Sequence, residues 1–467
     1  MRYDTLIIGA GFSGLSAGIR AAMFGQKVAI LEGHYLWGGL NSFYKRGGRL
    51  FDTGLHALTN YIEKGTKGTP LARVLRQLRI PYDSLQLRPQ VTSAVVSGGE
   101  RLTFSNDVEL LIAEVTRLFP HLTDRFRAFV DELAAMPLGV VERPDRSTRA
   151  ELDTRFGEPL LTDLLLVPCC YYGSARPNDV DWDQFTILFR SIFLEGLSMP
   201  AEGARPLLKL FVDRFKESGG ELRLKTRVAR VLHTNDTVRG VELEDGSVLE
   251  ADRVISSAGW VETMGLAGRA RELPASATGR LSFVETICTL DRQPHLLGSS
   301  PADGMDAGVV FFNTAERFRY DVPTELCDLA SGVVSMPTNF ADMEPEREGV
   351  FRVTVLADYH GWTTMEEPQY LDAKQRWSDG ALEAVTAFCS DVRPHETFRD
   401  VFTPRTLHKY TRHLNGAIYG SPEKRRDGLT PIQGLVLCGT DQGFLGIVGA
   451  SVSGIAMANH HALTASL

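Results

Sequence analysis

Six residues near the start limit this chain more than anything else in it. Gly9-Ala10-Gly11-Phe12-Ser13-Gly14 follows Thr5-Leu6-Ile7-Ile8, the continuous run of a parallel strand buried on both faces. After the glycines, Leu15, Gly18, Ile19 and Ala22 recur at helical spacing, a face of apolar and small residues able to lie close to a sheet. Gly25 ends that helix, and Lys27-Val28-Ala29-Ile30-Leu31 makes a second strand closed by Glu32. Strand, glycine turn, helix and strand in about 30 residues form the unit that binds dinucleotides. Gly9 permits the tight turn, Gly11 lets backbone approach a pyrophosphate with no Cβ in the way, and Gly14 lets helix and strand pack closely. The helix N-terminus offers free N–H groups and partial positive charge to the phosphates. Glu32 can accept hydrogen bonds from both ribose hydroxyls and would repel a phosphate there. The same residues could also serve as a tight structural turn alone.

One such unit leaves most of the chain unassigned. The 467 residues correspond to roughly three domains of about 150. With 43% apolar and 23% charged residues, the composition is that of a soluble globular protein able to bury a large core. The net charge of −8 argues against nucleic acid as a partner and leaves an apolar substrate open. Cys169, Cys170, Cys288, Cys327, Cys389 and Cys438 include no C-x-x-C. They read as buried free thiols in a reducing cytoplasm, with no metal site, and a vicinal Cys169–Cys170 disulfide would be strained. The chain runs from Met1 into its first strand without a basic leader, so no signal peptide is expected. From Pro431 to Leu467 the only formal charge is Asp441, but repeated glycines break the stretch. It reads as a buried strand followed by a glycine-lined helix, and no transmembrane helix is expected.

Between the ends, periodicity predicts helices through Val108–Leu118, Phe126–Leu133, Leu207–Lys216 and Tyr370–Phe388. Strands are predicted at Glu221–Leu224, Thr226–Leu232, Val241–Leu243, Val248–Leu249 and Asp252–Ser256, with a hairpin turn at Asp245-Gly246. Antiparallel strands are predicted at Leu281–Leu290, Gly308–Phe312 and Phe351–Leu356, and a loop over 137–150. The aromatic stretches Leu164–Tyr172 and Phe185–Phe193 suit either a tunnel for a long apolar ligand or ordinary core. His408, Lys409, Tyr410 and Arg412 read as a solvated strand end.

Further glycine segments separate FAD from NAD. Gly38-Gly39 and Phe51-Asp52-Thr53-Gly54-Leu55-His56 follow the first unit, and Asn415-Gly416-Ala417-Ile418-Tyr419-Gly420 precedes Gly439-Thr440-Asp441, Gly446 and Gly449-Ala450. In these segments the chain resembles the FAD-dependent, amine-oxidase-like flavoproteins, in their phytoene desaturase, carotenoid isomerase and retinol saturase branch. The likeness covers roughly residues 1–60, 200–260 and 400–467. It implies non-covalent FAD against Gly9, Ala10, Gly11, Phe12, Ser13 and Gly14, with Glu32 and Gly33 at the ribose. It further implies that Gly38, Gly39, Leu40 and Asn41, then Gly54, Leu55 and His56, border the flavin. Val228 would meet the adenine through its backbone, beside Ala258 and Gly259. Gly439, Thr440 and Asp441 would meet the ribityl chain, and Ile447, Val448 and Gly449 would open a helix toward the ring. The aromatic cage of amine oxidases is not evident at Gly443-Phe444-Leu445.

The resemblance implies an α/β chain: a Rossmann-like FAD-binding domain built from discontinuous segments, 1–85, 201–270 and 401–467. A substrate domain with a mixed or antiparallel sheet and helices would come from 86–200 and 271–400. The implied reaction is desaturation, saturation or cis–trans isomerisation of a carotenoid- or retinoid-like polyene by hydride exchange with flavin N5. The partner would be a small apolar substrate, with peripheral membrane contact for a cytoplasmic protein. His56 and Tyr419 are the implied catalytic candidates; a structural histidine and a packing ring are the plainer alternatives. An amine or porphyrinogen oxidase, or an FAD-stabilised binding protein for apolar ligands, are the other readings.

Overall fold

The computed structural model describes residues 2–136, 145–298, 303–343 and 348–463; the loop expected over 137–150 falls largely outside them. The glycine turn sits at the centre of a seven-stranded sheet. Arg2–Ile8 pairs in parallel with Val28–Leu31 on one side and Val248–Ser256 on the other, and Glu221–Arg223 extends it beyond Val28–Leu31. The far side of Val248–Ser256 is shared: its first half pairs antiparallel with Thr237–Leu243, its second half in parallel with Leu435–Leu437. Val228–Thr234 completes the meander. Three distant stretches thus meet in one sheet.

Alternation explains how this sheet is covered. Ile7, Val28, Ile30 and Ile255 face the helices, while Leu6, Ile8, Ala29, Leu31 and Val254 face the meander side. The opening helix Phe12–Ala22 packs on Ala204–Glu217 through the Phe12–Phe211 edge contact, 5.0 Å between ring centroids, and lies along the closing helix Gly446–Met457. The apolar C-terminal stretch is therefore core. Among the described residues no helix is long and apolar enough to cross a membrane.

A second seven-stranded sheet runs in the order Glu396–Phe402, Ser282–Leu290, Gly349–Ala357, Cys327–Ser335, Val309–Asn313, Ser93–Ser97, Glu100–Phe104. All its pairings are antiparallel except Val309–Asn313 with Ser93–Ser97, so the sheet is mixed. One face packs under the helix Glu367–Ala384; the other presents Phe283, Phe311, Val333 and Leu356 toward the helices Pro159–Gly173 and Trp182–Phe189. A small sheet joins Leu58–Thr59 and Leu87–Pro89 to Leu197–Pro200. His408–Tyr410 belongs to a helix, Pro404–Thr411, and not to the strand end read from sequence: Pro404 starts the helix and Arg412, at φ +63°, stops it. All six cysteines are free and buried.

Candidate active site

The glycine turn opens onto a cavity of about 1640 Å³ between the two sheets. That exceeds the roughly 300–1,000 Å³ of an ordinary small-molecule site. Gly9 needs φ +94°, and a Cβ on Gly14 would lie 2.1 Å from Gly9 O, so helix and strand touch at backbone distance. Gly9, Ala10, Gly11, Phe12 and Ser13 line the cavity, and the helix they begin has no side-chain cap and no acid in its first turn. Its first N–H groups face the cavity, a ready anion site. A Cβ on Gly11 would meet nothing nearer than Gly38 O at 4.0 Å and would instead take cavity space.

Glu32 stands where its strand ends. Oε2 accepts from Ala10 N–H and Oε1 from His34 N–H, both at 2.8 Å, which fixes the carboxylate at the cavity wall with lone pairs left for hydroxyl donors. Gly33, Gly38, Gly39, Leu40, Asn41, Gly54, Leu55, His56, Val228 and Ala258 line the same cavity. So do Thr440, in the turn Thr440–Gln442, and Ile447 and Gly449, at the start of the closing helix, whose N-terminus also lacks a side-chain cap.

Five sequence-derived site residues lie behind this wall. Gly14 serves the strand contact, and a Cβ on Gly439 would meet Ser13 Oγ at 2.9 Å, so that glycine serves packing. Gly259 and Val448 do not line the cavity, and Val448 is buried. Asp441, read from sequence as a ribityl contact, is 2% exposed and already engaged. It accepts from Trp260 N–H at 2.6 Å and Ser421 N–H at 2.7 Å, with Lys424 Nζ at 3.5 Å. It ties the 420–425 loop to the segment after Val248–Ser256. Cys438 is buried too, its thiol pushed up to about 12 by burial, and it is not part of the cavity wall.

His56 sits in a charge network that sequence did not reveal. Its Nε2 lies 3.1 Å from Glu285 Oε1 and 3.1 Å from Thr354 Oγ1. Glu285 Oε1 also accepts from Arg352 Nε at 2.6 Å, and Arg352 donates to Leu55 O and Thr53 O at 2.9 and 2.7 Å. Register explains the grouping: Glu285 stands opposite Thr354, and Arg352 shares the face of Thr354 two residues away. Burial would raise the Glu285 carboxyl, but Arg352 and then His56 hold it below the usual range. Glu285 and Thr354 reach the cavity; Arg352 backs them.

Tyr419 also lines the cavity, yet its hydroxyl donates to Tyr171 O, and burial pushes its proton affinity up. It is a wall, not a free acid. Beside it stand Tyr171, Phe283, Val333, Ile187, Leu188 and Leu445. The aromatic wall comes from these separate segments together with Phe444. Tyr172 Oη and His34 Nε2, both on the cavity wall, are buried without a hydrogen-bond partner among the described residues. Of the stretch 159–200, Trp182, Phe185, Phe189 and Phe193 are core, while Tyr171, Tyr172, Ile187 and Leu188 line the cavity.

The glycine turn, Glu32 and the uncapped helix starts suit a long, anionic dinucleotide. The chain is 22% identical over 501 residues to prolycopene isomerase 2, chloroplastic, of an Oncidium hybrid cultivar, covering 98% of this chain and 83% of that protein. It is 23% identical to 4,4'-diaponeurosporene oxygenase of Staphylococcus aureus strain bovine RF122 / ET3-1, covering 90% and 88%. A solved variant of putrescine oxidase shares the fold at TM-score 0.66 and 16% identity, covering 98% of each chain. The sequence profile of the flavin containing amine oxidoreductases matches residues 12–460. A glycine turn, an acid held at its strand end and a cavity with two uncapped helix starts are what FAD requires, and the chain belongs to the flavin-containing amine oxidoreductase family.

Proposed function

We propose that this FAD-dependent oxidoreductase acts on carbon–carbon single or double bonds of an apolar isoprenoid polyene, by desaturation, saturation or cis–trans isomerisation. The observation that carries the reading is the continuity of the cavity, from the glycine turn to a wall of aromatic and aliphatic side chains. The names of the carotenoid-acting relatives support it.

Gly9–Ser13, Glu32 and the start of the closing helix would hold the cofactor. Bound there, FAD supplies a hydride acceptor and donor. The chain's own work is to orient and to keep water out. Tyr171, Phe283, Tyr419 and Leu445 offer flat, dry surface against which a conjugated chain is held. His56, held by Glu285 and Thr354, is a polar group on the same cavity wall. Peripheral contact with a membrane that stores such a substrate belongs to the same reading. Cys438 is too buried and too weakly acidic to attach a flavin, so acid precipitation is expected to leave all yellow colour in the supernatant. The deciding experiment is anaerobic incubation with linear polyenes, flavin first oxidised and then reduced, with product analysis and flavin absorbance. Bleaching by an alkyl amine, with no polyene product in either flavin state, would refute the proposal in favour of amine oxidation; no bleaching and no polyene product in either state would leave a binding protein.

A further inference from the structure

One stretch of the cavity wall is polar where its neighbours are aliphatic. Between Ile187, Leu188 and Leu445 the wall carries Asn60, Arg190 and Glu195. Three local irregularities place them. Asn60 takes φ +64° without being glycine. Asparagine tolerates that region better than most residues, but here its surroundings dictate it. Its N–H donates to Ser191 O at 3.0 Å, Nδ2 donates to Glu195 Oε2 at 2.8 Å, and Oδ1 accepts from Thr59 Oγ1 at 3.1 Å. Arg190–Leu194 is a π-helical turn, a rare form that gathers at functional sites. The turn closes through Glu195 N–H on Arg190 O at 2.8 Å, so the two side chains leave it together. A Cβ on Gly446 would meet Thr59 Oγ1 at 3.3 Å, which sets the group beside the start of the closing helix.

We propose that Arg190 and Glu195, the acid clamped by Asn60, receive an oxygen-bearing end group on an otherwise apolar substrate chain. This rests on the reading of the cavity as the seat of a polyene. A pure hydrocarbon against this wall would cut the remaining guanidinium donors and the other carboxyl oxygen off from water without giving them a partner. Arg190 donates to Met136 O and has no ion pair among the described residues, so donors remain. Burial raises the Glu195 carboxyl against the pull of Asn60 and Arg190. The remaining Arg190 donors on this wall call for an acceptor oxygen, and the charge on Arg190 works against an ammonium group there.

The test is equilibrium binding to the FAD-loaded, oxidised protein, read from polyene absorbance and tryptophan quenching. The probes are a C20 polyene aldehyde, the matching carboxylic acid, the matching hydrocarbon and a long-chain alkyl amine. The wild type is expected to hold the two oxygenated probes at least tenfold tighter than the hydrocarbon, about 1.4 kcal/mol. Arg190→Met and Glu195→Leu, each with full FAD content, should bring that preference within about threefold while hydrocarbon affinity is kept. Equal affinity for all three polyenes in the wild type overturns this inference and leaves the polyene reading standing. Unchanged preference in both variants also overturns it. Binding of the amine with no binding of any polyene overturns both.

Discussion

Replacing Glu285 with Gln strips the counter-charge from the most deeply buried cation at the site. Arg352 is 3% exposed and Glu285 7%. The remaining hydrogen-bond partners of Arg352 are the carbonyls of Leu55 and Thr53, so in the variant the guanidinium keeps neutral acceptors and only the Asp52 carboxyl, to which it is not hydrogen-bonded, as a nearby acid. Removing one member of a buried pair costs about 3–5 kcal/mol, because the charge left behind is uncompensated. A neutral hydrogen bond, worth about 0.5–1.5 kcal/mol, cannot account for such a loss. The double change Glu285→Leu with Arg352→Met removes both charges and should cost less than either single change. The pH dependence has a definite sign. The folded carboxyl lies below its unfolded value near 4.3, so its contribution is present above that pH and is lost as pH falls through the lower folded value. Glu285→Gln should therefore show its full deficit at pH 7 and a shrinking one below about pH 4. The assay is urea unfolding followed by tryptophan fluorescence and flavin release at saturating FAD, since cofactor binding shifts apparent stability. A deficit under about 1 kcal/mol for the single variant, or a double variant costing the sum of the singles, would refute the reasoning.

Three further outcomes are expected. Glu32→Gln leaves either Ala10 N–H or His34 N–H facing an amide NH₂ and removes the charge at the ribose, so FAD affinity should fall at least about tenfold on dialysis; unchanged retention would remove Glu32 from the site. Gly449→Asp puts a carboxylate on the cavity wall in the first turn of the closing helix, where a Cβ already stands 3.1 Å from Phe444 backbone carbon. About 4 kcal/mol of repulsion at 4 Å should lower the flavin potential by roughly 50–90 mV in an anaerobic titration; coincident potentials with FAD bound would mean this helix does not face the ring. Tyr419→Phe loses only a donor committed to Tyr171 O, so turnover should stay within about threefold; a hundredfold loss would make that hydroxyl catalytic after all.

Some of the site is local, and local patterns are legible. Gly9 to Gly14 and Glu32 lie within one strand–helix–strand unit, where a period of 3.6, a run of buried strand residues and a terminal acid reveal geometry directly. The closing helix announced itself through its glycines, though the same letters did not tell which residues line the cavity and which, like Val448 and Gly439, stand behind it. That distinction depends on what packs against the other side. The resemblance placed Asp441 at the ribityl chain; only the folded chain supplies Trp260 and Ser421 as its partners. His56 drew notice as a single histidine, while Glu285, Thr354 and Arg352 carry no motif. They become its neighbours through the register of two strands about seventy residues apart, and a shift of one residue would turn all three away. Asn60 and Glu195 meet because a short sheet joins their segments and a π-helical turn aims the acid. Sequence determined the cofactor-binding unit, since its forces act between near neighbours; tertiary structure alone decided the polar groups of the cavity wall, since pairing across long separations is set by packing and register.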